Sequence, residues 1–261
     1  MNQGGIYADR APRVRPLKSA LELRYQVYCL ECNFLSPDDY PDGIETDAHD
    51  ERAAHFHALD FDDELVGYVR LVRAGQDGAF PFQEHCELSV GTTDLPDPDQ
   101  SAEISRLMVR KDYRRRRGDR LSGVTAEQNA AALARDRRHQ APQILLSLYR
   151  QMYNYSRSIG IRYWFAAMER PLARSLSRLN FAFEPIGPAT DYYGPVAPYL
   201  ADLTRLEEQV GALDPDLLAW LSAPGAERES PLTTPVAPSL VLRSAPAKPA
   251  RQLESASHLL R

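Results

Sequence analysis

The sequence predicts an α/β (α+β) fold in which helices flank a central sheet, and three stretches predict it. Residues 102–110 (AEISRLMVR), with β-branched and long apolar residues bounded by a Pro-Asp run and Lys111-Asp112, read as a strand. A hairpin precedes them, with strands over 55–59 and 65–72 and a turn over 60–64. A helix–strand–helix series follows them. Ile144, Leu145, Leu148, Met152 and Tyr155 recur at helical spacing until Gly160 closes the run. Residues 161–168 then read as a strand, and Glu169-Arg170-Pro171 opens a helix through Leu172, Leu176 and Leu179 that stops near Asn180. Beyond it, 183–194 form a Pro/Gly-punctuated loop, 198–206 a last strand and 207–221 a short helix.

Composition narrows the class. A chain of 261 residues with 43% hydrophobic content can bury a sizeable core. A net charge of −5 argues against nucleic acid as a partner, although local basic clusters stand out from that total. No apolar run is long enough to cross a bilayer, and the start carries no signal-peptide pattern. Three cysteines make no disulfide framework, so the expected compartment is the reducing cytoplasm. The expected organisation is a flexible basic start over 1–13, one domain over 14–221 and a Pro/Ala/Ser-rich disordered tail over 222–261.

Ionisable residues in apolar surroundings mark the candidate site. In the first helix Leu17, Leu21, Arg24 and Tyr28 fall at spacings of four, three and four, which puts Arg24 in the apolar stripe. Such an arginine either snorkels at the stripe's edge or is held under a cleft to orient a carboxylate. Cys29 and Cys32 lack the second ligand pair that a structural zinc site needs, so no metal is expected. The loop over 34–50 ends with Glu45, Asp47 and Asp50 within six residues. It reads either as a solvated acidic turn or as a partner for buried cations, and its spacing does not fit a calcium loop. Arg70 shares a strand face with Val66, Tyr68 and Val72. On the strand over 102–110, alternation sets Ile104, Arg106 and Met108 on one face and Glu103, Ser105, Leu107 and Val109 on the other. A site shared by Glu103 and Arg106 therefore needs a bulge between them.

Arg24, then Glu45-x-Asp47-x-x-Asp50, then Gly67-x-x-Arg70-Leu71, then Glu103-x-Ser105-Arg106 is an order that resembles the signature of the acyl-homoserine lactone (autoinducer) synthases, GNAT-like acyltransferases. The runs Arg24-Tyr25-Gln26-Val27-Tyr28 and Ala102-Glu103-Ile104-Ser105-Arg106-Leu107 also resemble the PEP-CTERM/exosortase system-associated acyltransferases, a group similar to long-chain N-acyl amino acid synthases. The resemblance covers roughly residues 14–210. It implies a GNAT-like acyl-CoA N-acyltransferase fold with a mixed, strongly bent sheet, an acyl donor carried on acyl carrier protein, and an amine acceptor.

Aminolysis of a thioester requires a neutral amine, so a base must take its proton. Glu103 is the expected base, directly or through a water, with burial raising its pKa and Arg70 or Arg106 lowering it. Arg106 and Glu45 complete the expected catalytic group. Arg24, Asp47, Asp50, Arg70, Phe34 and Ser105 are expected to bind substrate, and Trp164 and Phe165 to line the acyl channel. After the strand, GNAT enzymes that grip coenzyme A carry a glycine-rich phosphate cradle. This chain has Arg114, Arg115, Arg116 and Arg117 before Gly118, and an Arg/Ala-rich insertion over 118–140. Such a cluster suits an acidic carrier protein bearing a phosphopantetheine arm, or is simply a disordered charged insertion. The expected co-substrate is thus acyl-ACP, with acyl-CoA as the other donor and no tightly bound cofactor. Membrane contact would come only through the lipid product. Two other functions remain open: a lactone synthase using S-adenosylmethionine, and a non-catalytic carrier- or lipid-binding module on the same scaffold.

Overall fold

The computed structural model describes residues 17–60, 62–89, 95–113 and 141–223. The expected start over 1–13, the insertion over 118–140 and nearly all of the tail lie outside these residues, as do Arg114, Arg115, Arg116 and Arg117. The described elements are α1 (Leu17–Tyr25), β1 (Ala53–Leu59), β2 (Leu65–Arg73), β3 (Ser101–Val109), α2 (Ala141–Ser158), β4 (Tyr163–Glu169), α3 (Arg170–Ser177), β5 (Glu184–Pro185), β6 (Thr190–Asp191), β7 (Pro195–Asp202), α4 (Leu203–Leu213) and α5 (Pro215–Ser222). The strands form one mixed sheet in the order β1-β2-β3-β4-β7-β5, with β6 also on β7. Only β3 and β4 run parallel. This is a GNAT-like α/β fold.

One face of the sheet packs on the helices. Ala54, Phe56, Val69, Leu71, Ala102, Ile104, Trp164, Ala166 and Ala201 meet Ile144, Leu148, Tyr149 and Met152 of α2 there. Removing this apolar surface from water is the main stabilising contribution of the domain. Gly67 is required by the fit, because a Cβ at that position would lie 2.6 Å from Ile144 Cγ2. The other face is covered by α1, by the loop that follows it and by the segment around residues 80–88, through two smaller clusters.

The elements depart from the sequence reading in four places, one of them the short strands β5 and β6 inside the expected loop over 183–194. The first helix does not continue to Tyr28 as α-helix; Gln26–Glu31 widen into a π-helical turn, a form common at functional sites. The last strand ends at Asp202, whose side chain caps α4 by accepting from the Thr204 N–H. Leu203, Leu206 and Val210 then face the core at helical spacing, and Pro215 starts a second helix where one was expected. No described helix is long and apolar enough to cross a membrane.

Candidate active site

The site is made by one extra residue in β3. Gly67 and Tyr68 oppose Val109 and Met108, whereas Arg70 and Leu71 oppose Ser105 and Ile104. Val69 thus faces two residues of β3, and Arg106 sits there with a left-handed φ of 57°. This is the β-bulge that a common site required. It reverses the alternation along the strand. Ala102 and Ile104 lie in the helix-side core, and beyond the bulge Leu107 and Val109 pack against that same core. Met108 packs instead with Ala20, Leu23 and Val27 of the first helical segment on the opposite face. Glu103, Ser105 and Arg106 therefore share one face.

The bulge coincides with a splay in the sheet. β3 and β4 are paired only from Ser101 and Tyr163 to Ile104 and Ala166. Their outer neighbours stay paired further along, β2 with β3 and β4 with β7, so the two central strands part and leave a V.

The acidic loop is locally ordered before it meets any cation. Glu45 N–H donates to Leu21 O at 3.2 Å, which ties the loop to α1. Asp47 accepts from the His49 N–H at 2.9 Å and Asp50 accepts from the Asp47 N–H at 2.9 Å, a capping box on the turn Ala48–Arg52. The three carboxylates then alternate with three arginines in a closed ring. Arg24 donates to Glu45 at 2.5 Å and to Asp50 at 2.6 Å. Arg70 donates to Asp50 at 2.6 Å and to Asp47 at 2.6 and 2.8 Å, a bidentate pair. Arg106 donates to Asp47 at 3.0 Å and to Glu45 at 3.2 Å. Each carboxylate bridges two guanidinium groups, so the ring is formally neutral. Burial disfavours the ionised acids, but the arginines outweigh it, and Asp50 is held at about 2. Glu45 is likewise lowered, by Arg106 and then Arg24.

Glu103 stands outside this ring. It is 3% exposed, and the hydrogen bond it accepts comes from the Phe82 backbone N–H at 2.8 Å. Burial pushes its carboxyl up to about 7, against the opposing pull of that N–H and of Arg70 and Arg106. A carboxyl poised there can exchange a proton near neutral pH.

The geometry revises several expected roles. Arg24 and Arg70 do not snorkel and do not reach a cleft; at 0% and 1% exposure they are enclosed by the acids. Glu45, expected among the reacting groups, is fully enclosed too and acts by holding Arg106. Asp50 and Arg106 are also buried, which leaves Asp47, with 16% of its side chain exposed, as the ring's member at the rim. Ser105 accepts from Arg70 at 3.4 Å. Phe165 lies on the Glu103 side, stacked against Phe82 and beside Phe80 at centroid distances of 5.1 Å each. Trp164 points the other way into the helix-side core and donates to Ser156 at 2.9 Å, so it is a core residue and not a channel wall. Phe34 meets Tyr28 and Tyr193 edge-on or tilted, at 5.8 and 5.7 Å.

Other participants escaped the sequence reading. Tyr28 and Tyr193 flank the Arg106 guanidinium at 4.7 and 5.5 Å from their ring centres. Tyr192 stacks on His85 at 4.0 Å. His55 meets the Tyr68 hydroxyl at 2.7 Å beneath Arg24, and burial lowers its pKa to about 4, so it is neutral at pH 7. Tyr28 was visible on the helical stripe and Tyr192-Tyr193-Gly194 as turn residues. Phe82 contributes a backbone group, which no side-chain pattern signals.

Residues 23–123 match the family model of the acetyltransferase (GNAT) domain. The match spans 101 of the 261 residues, and together with the fold it is consistent with an N-acyltransferase. Among solved structures, the chain is similar to TofI in a ternary complex with an inhibitor and MTA, with 15% identity over 80% of this chain and 97% of that one and a TM-score of 0.53. It is also similar to BjaI, a CoA-dependent acyl-homoserine lactone synthase solved with SAM and isopentyl-CoA (19% identity, 75% and 82% coverage, TM-score 0.47). A third similar structure is FeeM, an N-acyl amino acid synthase from uncultured soil microbes (12% identity, 77% and 93% coverage, TM-score 0.44). No curated protein matches the chain by sequence.

Proposed function

We propose that this enzyme moves a medium or long acyl chain from the phosphopantetheine thioester of an acyl carrier protein to the α-amine of an amino acid. The observation that carries the reading is Glu103: a buried carboxyl excluded from the neutral Arg/acid ring, poised at about 7 and placed beside the splay of β3 and β4. In this reading Glu103 removes the proton from the acceptor's ammonium group, directly or through a water. The freed amine attacks the thioester carbonyl, the new C–N bond forms, the C–S bond breaks, and the thiol leaves with a proton. Backbone N–H groups at the splay would stabilise the oxyanion. Arg106, fixed by Glu45 and Asp47, would hold the acceptor side of the site without itself changing charge. Phe80, Phe82 and Phe165 would supply an apolar wall next to the base. The carrier-protein donor rests on the charge of Arg114 to Arg117.

Mass spectrometry of lipid extracts from cells expressing the wild type or Glu103→Gln tests the proposal. N-acyl amino acids in the wild type alone are the expected result. Acyl lactones with methylthioadenosine would move the assignment to signal synthesis. A folded wild type yielding no acylated amine would favour a binding module. Purified enzyme given matched acyl-ACP and acyl-CoA then separates the donors, and turnover with acyl-CoA alone would overturn the carrier-protein assignment.

A further inference from the structure

Arg106 is held from several directions. Glu45 and Asp47 take its nitrogens, Tyr28 lies against one side of the guanidinium, and Tyr193 meets it from the C-terminal half of the chain. This hold matters because a left-handed φ of 57° is unfavourable for a residue with a side chain, and persists only where its surroundings impose it. Tyr193 comes from a sharply turned tip: its own φ is 54°, that of Gly194 is 106°, and Tyr192 N–H donates to Gly194 O at 3.0 Å.

The adjacent residue at that tip leads to Glu103. Tyr192 stacks on His85 with a 16° angle between rings. His85 N–H donates to Phe82 O at 3.1 Å, and Phe82 is the residue whose own N–H holds the Glu103 carboxylate. The segments behind both tyrosines are joined as well. Ser89 N–H donates to Ile186 O at 2.9 Å, and a Cβ on Gly187 would lie 2.0 Å from Glu87 O. One hairpin tip thus grips the arginine with one ring and the carboxylate's support with the next.

We infer that Tyr192–Tyr193, at the tip between β6 and β7, is the positioning element that fixes Glu103 and Arg106 relative to one another. Neither phenol hydroxyl makes a hydrogen bond among the described residues, so the rings carry the effect and phenylalanine should replace tyrosine. The kinetic readout rests on the proposed acyl transfer, while the spectroscopic one does not.

The test compares full-length wild type, Tyr193→Phe and Tyr193→Ala. Tyr193→Ala should lower kcat/KM about tenfold, through kcat with KM within about twofold, and Tyr193→Phe should stay within about twofold of wild type; that scale follows from losing one partly desolvated cation–π contact. In arginine-labelled protein, the Arg106 Nε–H resonance should stay in place in Tyr193→Phe and move in Tyr193→Ala, where the Tyr193 part of its ring-current shift is lost and the Tyr28 part remains. Equal activity of all three proteins, or an Arg106 resonance that does not move in Tyr193→Ala, would overturn the inference. A wild type that acylates no amine but shows the expected resonance pattern would remove the proposed function and leave the positioning role standing.

Discussion

Glu103→Gln should make the protein more stable while it removes activity, and the two effects should differ in how they depend on pH. Burial holds the Glu103 carboxyl at about 7 against an ordinary value of 4.5. Its folded pKa is the higher one, so below 4.5 both folded and unfolded chains carry the proton and the group costs nothing. Between 4.5 and 7 the unfolded chain ionises first, and the cost grows as pH rises; above 7 it is complete. At about 1.4 kcal/mol per pH unit, that cost is about 1 kcal/mol at pH 5 and about 3 kcal/mol at pH 8. Glutamine keeps the shape and cannot ionise. Its stability relative to wild type should therefore improve by about 2 kcal/mol from pH 5 to pH 8, or about 4–8 °C in Tm for a domain of this size. Differential scanning calorimetry of both proteins at pH 5, 6, 7 and 8 measures this directly. A Tm difference that stays flat over that range would refute the raised pKa, and with it the reason for choosing Glu103 as the base. The activity of the variant should be lower by about 10²–10⁴-fold, the usual contribution of a general base.

Two further outcomes test the ring and the bulge. Arg24→Ala leaves Glu45 and Asp50 buried with one cation fewer each, and should cost about 3–5 kcal/mol in urea unfolding; a loss below about 1 kcal/mol would mean that the ring tolerates a gap. Arg106→Gly should be more stable than Arg106→Ala by about 1 kcal/mol, because only glycine accepts a left-handed φ of 57° without cost, and the reverse order in the same assay would argue against the bulge.

Much of the architecture was legible because it depends on local patterns. Period-two alternation located β1, β2 and β3, and the 3.6-residue recurrence of Ile144, Leu148 and Met152 located α2. The boundary between β7 and α4 was misplaced because the helical spacing of Leu203 and Leu206, three apart, is too short a run to stand out from the strand that precedes it. The charged residues of the site could be picked out because ionisable groups on apolar strand faces need a reason to be there. Their arrangement could not. Sequence spacing says that three arginines and three acids are available, but which carboxylate bridges which pair depends on how α1, the acidic loop, β2 and β3 pack.

The sequence by itself determined the alternation of elements, the charge inventory of the site and the need for a bulge if Glu103 and Arg106 were to act together. Only the tertiary structure decided where the bulge falls, which acids neutralise the arginines, and that Glu103 is left out of that ring with a backbone N–H as its support. The physical reason is that strand period and composition are properties of neighbouring residues. Pairing, burial and the pKa that follows from them are set by groups that meet only after the chain has folded.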